Sequence, residues 1–437
     1  MLHRELPVSL SGNRKRYGRY GLNTFGTSPQ GDGSMTTTNT LRKSGVLFSE
    51  RYGVPAHVNY YQWMERSTGV RVVTDRKLLS WVPREEPSNC PILASNMRRF
   101  AKSAPWQLHS VARNVFAGRI PAAQAGAMAL STFGQPPFVI VVSDGLYTAA
   151  DQCVHLWETS TRLLVDGVMD LDRGFDARDA ELRLDQAIKA CGIEDRAKKV
   201  VDHLRHTLRD GDLTPLMHLN VEDIKLPVLG VPDGQLRHRP QRQFLWHQFV
   251  IAHELVHIIL GHLGPTGSPA ASKYTQDVIH GYRTLSTWDN LTDDSQRAEA
   301  AADLFGFFEF CYATSWEIKQ RKGVKMGWRD RSELALLVQH LEGAAIATLV
   351  FYLLSALGVP ECHTSTHPHP DHRFALITEA VLSRMKTIIS TTNEPNEGFQ
   401  HYPSGFYERV MFLATVLIPV IYQATTGLLE TILHRQR

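Results

Sequence analysis

The sequence predicts an α+β protein in which a small sheet precedes a mainly helical C-terminal half. The clearest strand is "PPFVIVVSDGLY" at 136–147, where a β-branched run follows two prolines and ends at Asp144-Gly145, a pair typical of turns. From Gln241 onward, the apolar residues recur mostly at helical spacing. Strands that come first and helices that come later are the order expected of an α+β fold.

Three regions are predicted along the chain. Residues 1–44 are rich in Gly, Ser, Thr, Asn and basic residues, which indicates a flexible N-terminal arm. Residues 45–130 have a mixed pattern without recognisable chemistry, so no role is predicted for them. Residues 131–437 form the main predicted domain. Besides the strand, this domain contains predicted helices at 149–164 and 185–209 and predicted strands within 218–234.

Composition and charge exclude several classes of protein. A formal net charge of +3 over 437 residues is too small to predict a nucleic-acid or membrane partner. The five cysteines are widely spaced and form no CxxC pair, which favours a reduced compartment over a disulfide framework. The N-terminal segment lacks the apolar core of a secretory signal, so we expect a cytoplasmic protein.

Two uncharged apolar stretches, at 343–359 and 410–429, qualify that expectation. A membrane-spanning helix needs about 20 apolar residues. The first stretch is short, and the second contains a proline, a glutamine and threonines. We therefore interpret both as buried core helices. A C-terminal membrane anchor at 410–429 is the alternative, and it would make the protein membrane-associated.

The strongest chemical signal is "AHELVHIILGH" at 252–262. On a helix, His253 and His257 lie on one face, where two neutral imidazoles can bind one Zn²⁺. Glu254 lies at the edge of that face, where it can hold the attacking water and take its proton. Burying an unpaired polar group costs about 1–3 kcal/mol, and a metal explains why so apolar a helix contains these groups. The alternative is a set of hydrogen-bonded core histidines.

A third ligand is expected because catalytic zinc usually takes three protein ligands. On a continuous helix, His262 would lie opposite His253, so we place it at the helix C-terminus instead. A second helix is predicted at 292–310, "TDDSQRAEAAADLFGFFEF", in which Glu299 and Asp303 share a face among small residues. Glu299 is the predicted third ligand, and Asp303 would accept the outer N–H of a ligand histidine. The alternative is a solvated acidic face.

Together, HExxHxxxGH and the ExxxD helix resemble the gluzincin metallopeptidases. The first motif resembles the HtpX and CAAX-prenyl-peptidase type and the ImmA/IrrE type, and the phage-exclusion Lit-type peptidases share the general arrangement. The resemblance covers about residues 240–380 and implies a zincin-like fold. It also implies Zn²⁺ held by His253, His257 and Glu299.

A third segment adds to the resemblance. "STHPHPDHRFALI" at 365–377 resembles the Ser-His-Pro…Arg segment that follows the ligand helix in HtpX-type enzymes. The resemblance implies that His367 approaches the substrate and stabilises the oxyanion, and that Arg373 anchors the segment. The alternative is a histidine-rich surface loop with adventitious metal affinity.

The sequence therefore predicts a zinc-dependent endopeptidase that acts on a protein or peptide substrate. The resemblance implies a role in regulated proteolysis, the stress response or phage defence. We expect the strand at 138–142 to lie at a sheet edge and to bind an extended substrate by backbone pairing. The alternatives are a non-catalytic zinc-stabilised protein and a membrane-anchored interaction protein. Glu254 argues against the first, because a structural zinc site has no use for a base there.

Overall fold

A computed structural model describes residues 91–113, 115–120, 126–132, 135–168, 193–210, 238–263, 269–323, 329–357, 367–392 and 410–435. All of them belong to one compact unit, Pro55–Arg437. The predicted arm at 1–44 and the predicted strands within 218–234 lie outside the described residues. Most of the described residues are helical and a small sheet precedes most of the helices, which confirms the α+β prediction.

The described sheet has three strands in the order β1-β3-β2. They are β1 (Val115–Ile120), β2 (Ala127–Thr132) and β3 (Gln135–Ser143). β3 pairs in parallel with β1 and antiparallel with β2, so Val139 lies between Phe116 and Leu130. The prediction that 138–142 forms a substrate-binding edge is therefore wrong. Its run of β-branched residues is typical of a central strand that is covered on both faces.

β2 contributes an edge of this sheet and pairs with β3 alone among the described strands. The predicted boundary between 45–130 and 131–437 falls inside β2, so the sheet contains residues from both sides of that boundary. The sequence of β2, "AMALST", contains Thr132 as its one β-branched residue. Local strand propensity is therefore weak, and pairing with β3 determines the conformation.

Helices form the rest of the described chain. They are α1 (Pro91–Ser103), α2 (His109–Arg113), α3 (Asp144–Val168), α4 (Ile193–Asp210), α5 (His238–Ile259), α6 (Pro269–Tyr282), α7 (Asp294–Phe305), α8 (Ala313–Arg321), α9 (Arg329–Ala356), α10 (Pro370–Thr392) and α11 (Ile418–Arg435). Short 3-10 helices occur at Trp106–Leu108 and Ser286–Asn290, and π-helical segments occur at Gly306–Tyr312 and Leu413–Leu417.

The junction of β3 and α3 differs from the predicted turn at Asp144-Gly145. α3 begins at Asp144, directly after the strand. The buried Ser143 caps it, because its Oγ accepts a hydrogen bond from the backbone of Leu146 at 3.2 Å. The same Oγ accepts the backbone N–H of Gly126 at 2.9 Å, which ties the start of β2 to the end of β3.

Among the described residues, two helical segments are long and apolar enough to cross a membrane, Arg331–Ala356 and Val410–Arg435. Length and composition alone are weak evidence, since core helices pass the same test. The apolar window of Arg331–Ala356 is 78% buried, and α9 packs against α5, α10 and α11. The window of Val410–Arg435 is 44% buried. Burial in the core therefore accounts for the composition of α9 more fully than for that of the C-terminal segment.

Candidate metal centre

Helices α5 and α7 approach closely along the faces that carry the predicted ligands. Asp293 caps α7, because its Oδ1 accepts a hydrogen bond from the backbone of Gln296 at 2.8 Å. Residues 300–302 are buried alanines. Directly after α7, a Cβ atom added to Gly306 would lie 3.1 Å from backbone atoms of Ala252 and His253. Small side chains therefore allow the two helices to meet.

His253, His257 and Glu299 converge where these helices meet. Their ligand atoms all lie within 4.8 Å of one another. The Nε2 atoms of the two histidines are 3.0 Å apart. Oε2 of Glu299 lies 3.2 Å from Nε2 of His253, and its Oε1 lies 3.4 Å from Nε2 of His257. The structure thus brings together the three residues that the sequence predicts as ligands.

The donor set fits a zinc ion. Two imidazole nitrogens and one carboxylate oxygen are the ligands that catalytic zinc sites with two histidines and a glutamate use. Oε2 of Glu299 is buried and lies within 3.3 Å of the Nε2 atoms of His253 and His367. Burial alone would raise the pKa of Glu299, but the two histidines hold it well below its usual range. The carboxylate is therefore ionised and available to a cation.

Behind His253 lies a buried ion pair. Nδ1 of His253 is 2.9 Å from Oδ1 of Asp303, which has no solvent exposure. Arg373 donates to both carboxylate oxygens of Asp303 at 2.7 Å, and its guanidinium lies 4.7 Å from the centre of the Phe351 ring. Burial raises the pKa of Asp303, but Arg373 and His253 lower it to about 2. Asp303 therefore stays ionised and can fix the orientation of the His253 ring.

The protonation of His253 follows from these contacts. Burial lowers the pKa of His253, whereas hydrogen bonds to Asp303 and Glu299 raise it, with a net value of about 10. In the absence of a metal, His253 thus carries a proton that is shared with two carboxylates. A cation that binds at Nε2 displaces this proton, so metal binding releases a proton and weakens as the pH falls.

Glu254 lies beside the ligands and is not part of the three-residue cluster. Its carboxylate accepts a hydrogen bond from the backbone of Ala129 in β2. Burial raises the pKa of Glu254, and the neighbouring His253 and His257 oppose that shift. A buried carboxylate with a raised pKa is suited to accept a proton from water and to release it again. The contact also places beside the centre the edge of β2 that pairs with no described strand.

His367 lies just before α10, and its Nε2 is 3.3 Å from Oε2 of Glu299. Its side chain is 33% exposed, and burial lowers its pKa, which favours the neutral ring. The structure thus places His367 at the centre and Arg373 behind it, as the resemblance implies. His369 and His372 are exposed, but His372 lies in α10 and not in a loop.

His262 lies next to His257, a contact that sequence reasoning did not predict. α5 ends at Ile259, and Gly261 adopts a φ of 79°, which returns the chain toward the helix. The backbone N–H of His262 donates to the carbonyl of His257 at 3.1 Å, and its Nδ1 lies 2.7 Å from Nδ1 of His257. Its predicted place at the helix C-terminus is right, but the opposite-face argument fails because the helix has already ended. Gly261 is the signal that could have shown this.

A cavity of about 290 Å³ opens beside the centre. Its polar wall contains Glu254, His257 and His367. Its apolar wall includes Met128, Leu146, Leu263, Phe351, Leu354 and Pro368. Several elements of the chain contribute to this wall, and no local sequence pattern marks these residues. The cavity is large enough to hold an amino-acid side chain beside Glu254, the predicted base.

No protein-family model, curated protein or solved structure matches this chain. Support for a function therefore comes from the geometry of the centre. Three predicted ligands, a buried carboxylate that is not a ligand, and a largely apolar cavity lie together. This arrangement can bind a divalent cation and can also move a proton within reach of it.

Proposed function

We propose that this protein is a zinc-dependent endopeptidase of the gluzincin type with a zincin-like fold. The observation that carries the proposal is the position of Glu254 beside the His253, His257 and Glu299 cluster and at the wall of the cavity. A site that used zinc only for stability would gain nothing from a buried carboxylate in that place, because burying it without pairing is costly.

The proposed reaction is hydrolysis of a peptide bond. Zinc, when bound, supplies a Lewis acid that polarises the carbonyl and acidifies a water. Glu254 takes the proton from the attacking water and transfers it to the leaving amine. His367, whose Nε2 lies 3.3 Å from Oε2 of Glu299, donates a hydrogen bond to the oxyanion that develops on the carbonyl. Arg373 holds the segment of His367 in place through its ion pair with Asp303.

The edge of β2 is the proposed binding site for the peptide main chain. Ala129 directs its N–H away from β3, toward Glu254. Because strand residues alternate in orientation, Ala127 directs its N–H to the same side. An extended substrate can pair with this edge and place one side chain in the cavity. This role replaces the one that the sequence predicted for β3.

The proposed location is the cytoplasm, with the catalytic residues on one side of any membrane. α9 lies between Glu299 and His367 in the chain, and its Phe351 and Leu354 line the cavity. A helix in this position cannot also cross a membrane without separating the groups that meet at the centre. The alternative is a membrane-associated protein in which Val410–Arg435 contacts the membrane. Fractionation of cells that express the full chain distinguishes a cytoplasmic from a membrane-associated protein.

The proposal is tested by peptide cleavage with matched zinc-loaded proteins. Wild type and Glu254→Gln are loaded with zinc, and digestion of a denatured protein mixture is followed by mass spectrometry. We expect cleavage by wild type and a loss of roughly 10²–10⁴-fold in Glu254→Gln at equal zinc content. Equal cleavage by both proteins, or none by zinc-loaded wild type, contradicts the proposal. Zinc that raises stability without any cleavage would favour the zinc-stabilised alternative.

A further inference from the structure

The outer nitrogens of the two predicted histidine ligands have different partners. Nδ1 of His253 faces the Asp303 carboxylate at 2.9 Å. Nδ1 of His257 faces Nδ1 of His262 at 2.7 Å. Two ring nitrogens at this distance form a hydrogen bond only when one of them carries the proton and the other presents a lone pair.

The position of His257 decides which nitrogen donates. Its Nε2 faces Nε2 of His253 at 3.0 Å and Oε1 of Glu299 at 3.4 Å, so Nε2 is the ligand atom. A ligand nitrogen carries no proton, and the neutral ring of His257 then has its proton on Nδ1. His257 therefore donates to His262, and Nδ1 of His262 is the acceptor.

From this geometry we propose that His262 is a positioning residue for the metal centre. Its imidazole accepts the outer N–H of His257 and so fixes the tautomer and the ring orientation in which Nε2 points at the cation. Outer partners of this kind typically affect metal affinity by about 10–100-fold. The inference deepens the proposed function, because it rests on the same three ligands.

The backbone supports a fixed position for His262. Gly261 has a φ of 79°, a conformation that favours glycine, and it turns the chain directly after α5. The N–H of His262 then donates to the carbonyl of His257 at 3.1 Å. The same two residues therefore contact each other through backbone and side chain. The exposed remainder of the His262 ring lies at the wall of the cavity.

The test compares zinc affinity across three variants of the full chain. His262→Ala removes the acceptor. His262→Asn keeps an acceptor, because the amide oxygen of Asn takes nearly the place of Nδ1 in His. His280→Ala removes an exposed histidine of α6 and is the matched control. Zinc dissociation constants are measured by competition with a chromophoric chelator, and the visible absorption of the Co²⁺-substituted proteins reports the ligand geometry.

We expect His262→Ala to bind zinc about 10–100-fold more weakly and to have an altered cobalt spectrum, whereas His262→Asn and His280→Ala resemble wild type. Unfolding of the metal-free proteins is expected to be the same in all of them, because His262 is exposed. Unchanged affinity and spectrum in His262→Ala overturn this inference and leave the proposed function in place. An equal loss in His262→Asn also overturns it. A wild type that binds no zinc overturns both proposals.

Discussion

The two histidines of the predicted centre are supported in different ways. Behind His253 lies an ion pair between Asp303 and Arg373, whose side chains are 0% and 3% exposed. Beside His257 lies His262, a neutral acceptor at the wall of the cavity. The comparison shows that one side of the centre is part of the folded core, whereas the other side faces the cavity. Changes on the first side should affect both folding and metal binding, whereas changes on the second side should affect metal or substrate binding without affecting folding.

Arg373→Met has the largest expected effect on this comparison. The substitution leaves the Asp303 carboxylate buried without its cation, so the free energy of unfolding should fall by about 3–5 kcal/mol. The control is Arg297→Met on α7, where an exposed pair with Asp294 contributes about 1 kcal/mol or less. Urea unfolding of the metal-free proteins measures both. Equal losses of unfolding free energy in Arg373→Met and Arg297→Met would show that the buried ion pair stabilises the fold no more than an exposed one.

Replacement of both Asp303 and Arg373 separates the contribution of this ion pair to stability from its role in orienting His253. In Asp303→Leu with Arg373→Met, no unpaired charge is left in the core, so most of the stability lost in the single variant should return. The outer partner of His253 is still missing, and zinc affinity should stay about 10–100-fold below wild type. Unfolding and chelator competition are measured on the same samples. Recovery of both properties would mean that Asp303 does not orient a ligand.

Ala127→Pro tests the open side of the centre at the edge of β2. Proline removes one outward N–H and is tolerated at the first residue of an edge strand. One lost hydrogen bond to the substrate corresponds to about 0.5–1.5 kcal/mol, so KM for a cleaved peptide should rise by roughly 2–10-fold. Zinc content should not change. An unchanged KM would show that the substrate does not pair with β2.

Glu379→Gln has the smallest expected effect and tests a contact outside the centre. Glu379 of α10 accepts hydrogen bonds from the backbone N–H groups of Ser286 and Thr287, at 2.7 and 2.9 Å, in the 3-10 helix that precedes α7. Burial raises the pKa of Glu379, but hydrogen bonds from the side chains and backbone N–H groups of Thr287 and Ser286 together lower it to about 2. The carboxylate is partly exposed, so we expect a loss of about 1 kcal/mol at neutral pH.

The direction of the pH dependence follows from this lowered pKa. A carboxyl whose pKa is lower in the folded state contributes stability above its unfolded value, and that stability is lost as the pH falls toward about 2. The difference between wild type and Glu379→Gln should therefore shrink between pH 5 and pH 3, roughly. Denaturant unfolding at neutral pH and near pH 3 measures this difference in the free energy of unfolding. A difference that is constant with pH would contradict this origin.

The parts of the centre that the sequence predicted are those with helical spacing. His253 and His257 lie one turn apart on α5, and Glu299 and Asp303 lie one turn apart on α7. Backbone geometry alone places each pair on one face. The alanines between Glu299 and Asp303 indicate from the sequence that another helix can approach closely. These predictions were therefore possible because they depend only on the regular spacing of residues within one helix.

The parts that the sequence did not predict depend on contacts between distant segments. β2 has weak strand propensity and takes its conformation from pairing with β3. Phe351 and Leu354 line the cavity because α9 packs against α5, and nothing in their local pattern indicates this. The contact of His262 with His257 was not predicted because the opposite-face argument assumed a continuous helix, whereas α5 ends at Ile259 and Gly261 turns the chain back.

The metal content of the purified full chain tests the central claim most directly. Wild type, Glu254→Gln and Glu299→Ala are analysed by mass spectrometry, with the folded state of each checked by circular dichroism. We predict one zinc per chain in wild type and in Glu254→Gln, and a loss of zinc in Glu299→Ala, because Glu299 is a ligand and Glu254 is not. Folded wild-type protein without zinc, even after incubation with the metal, would contradict the account and would identify these histidines as core residues.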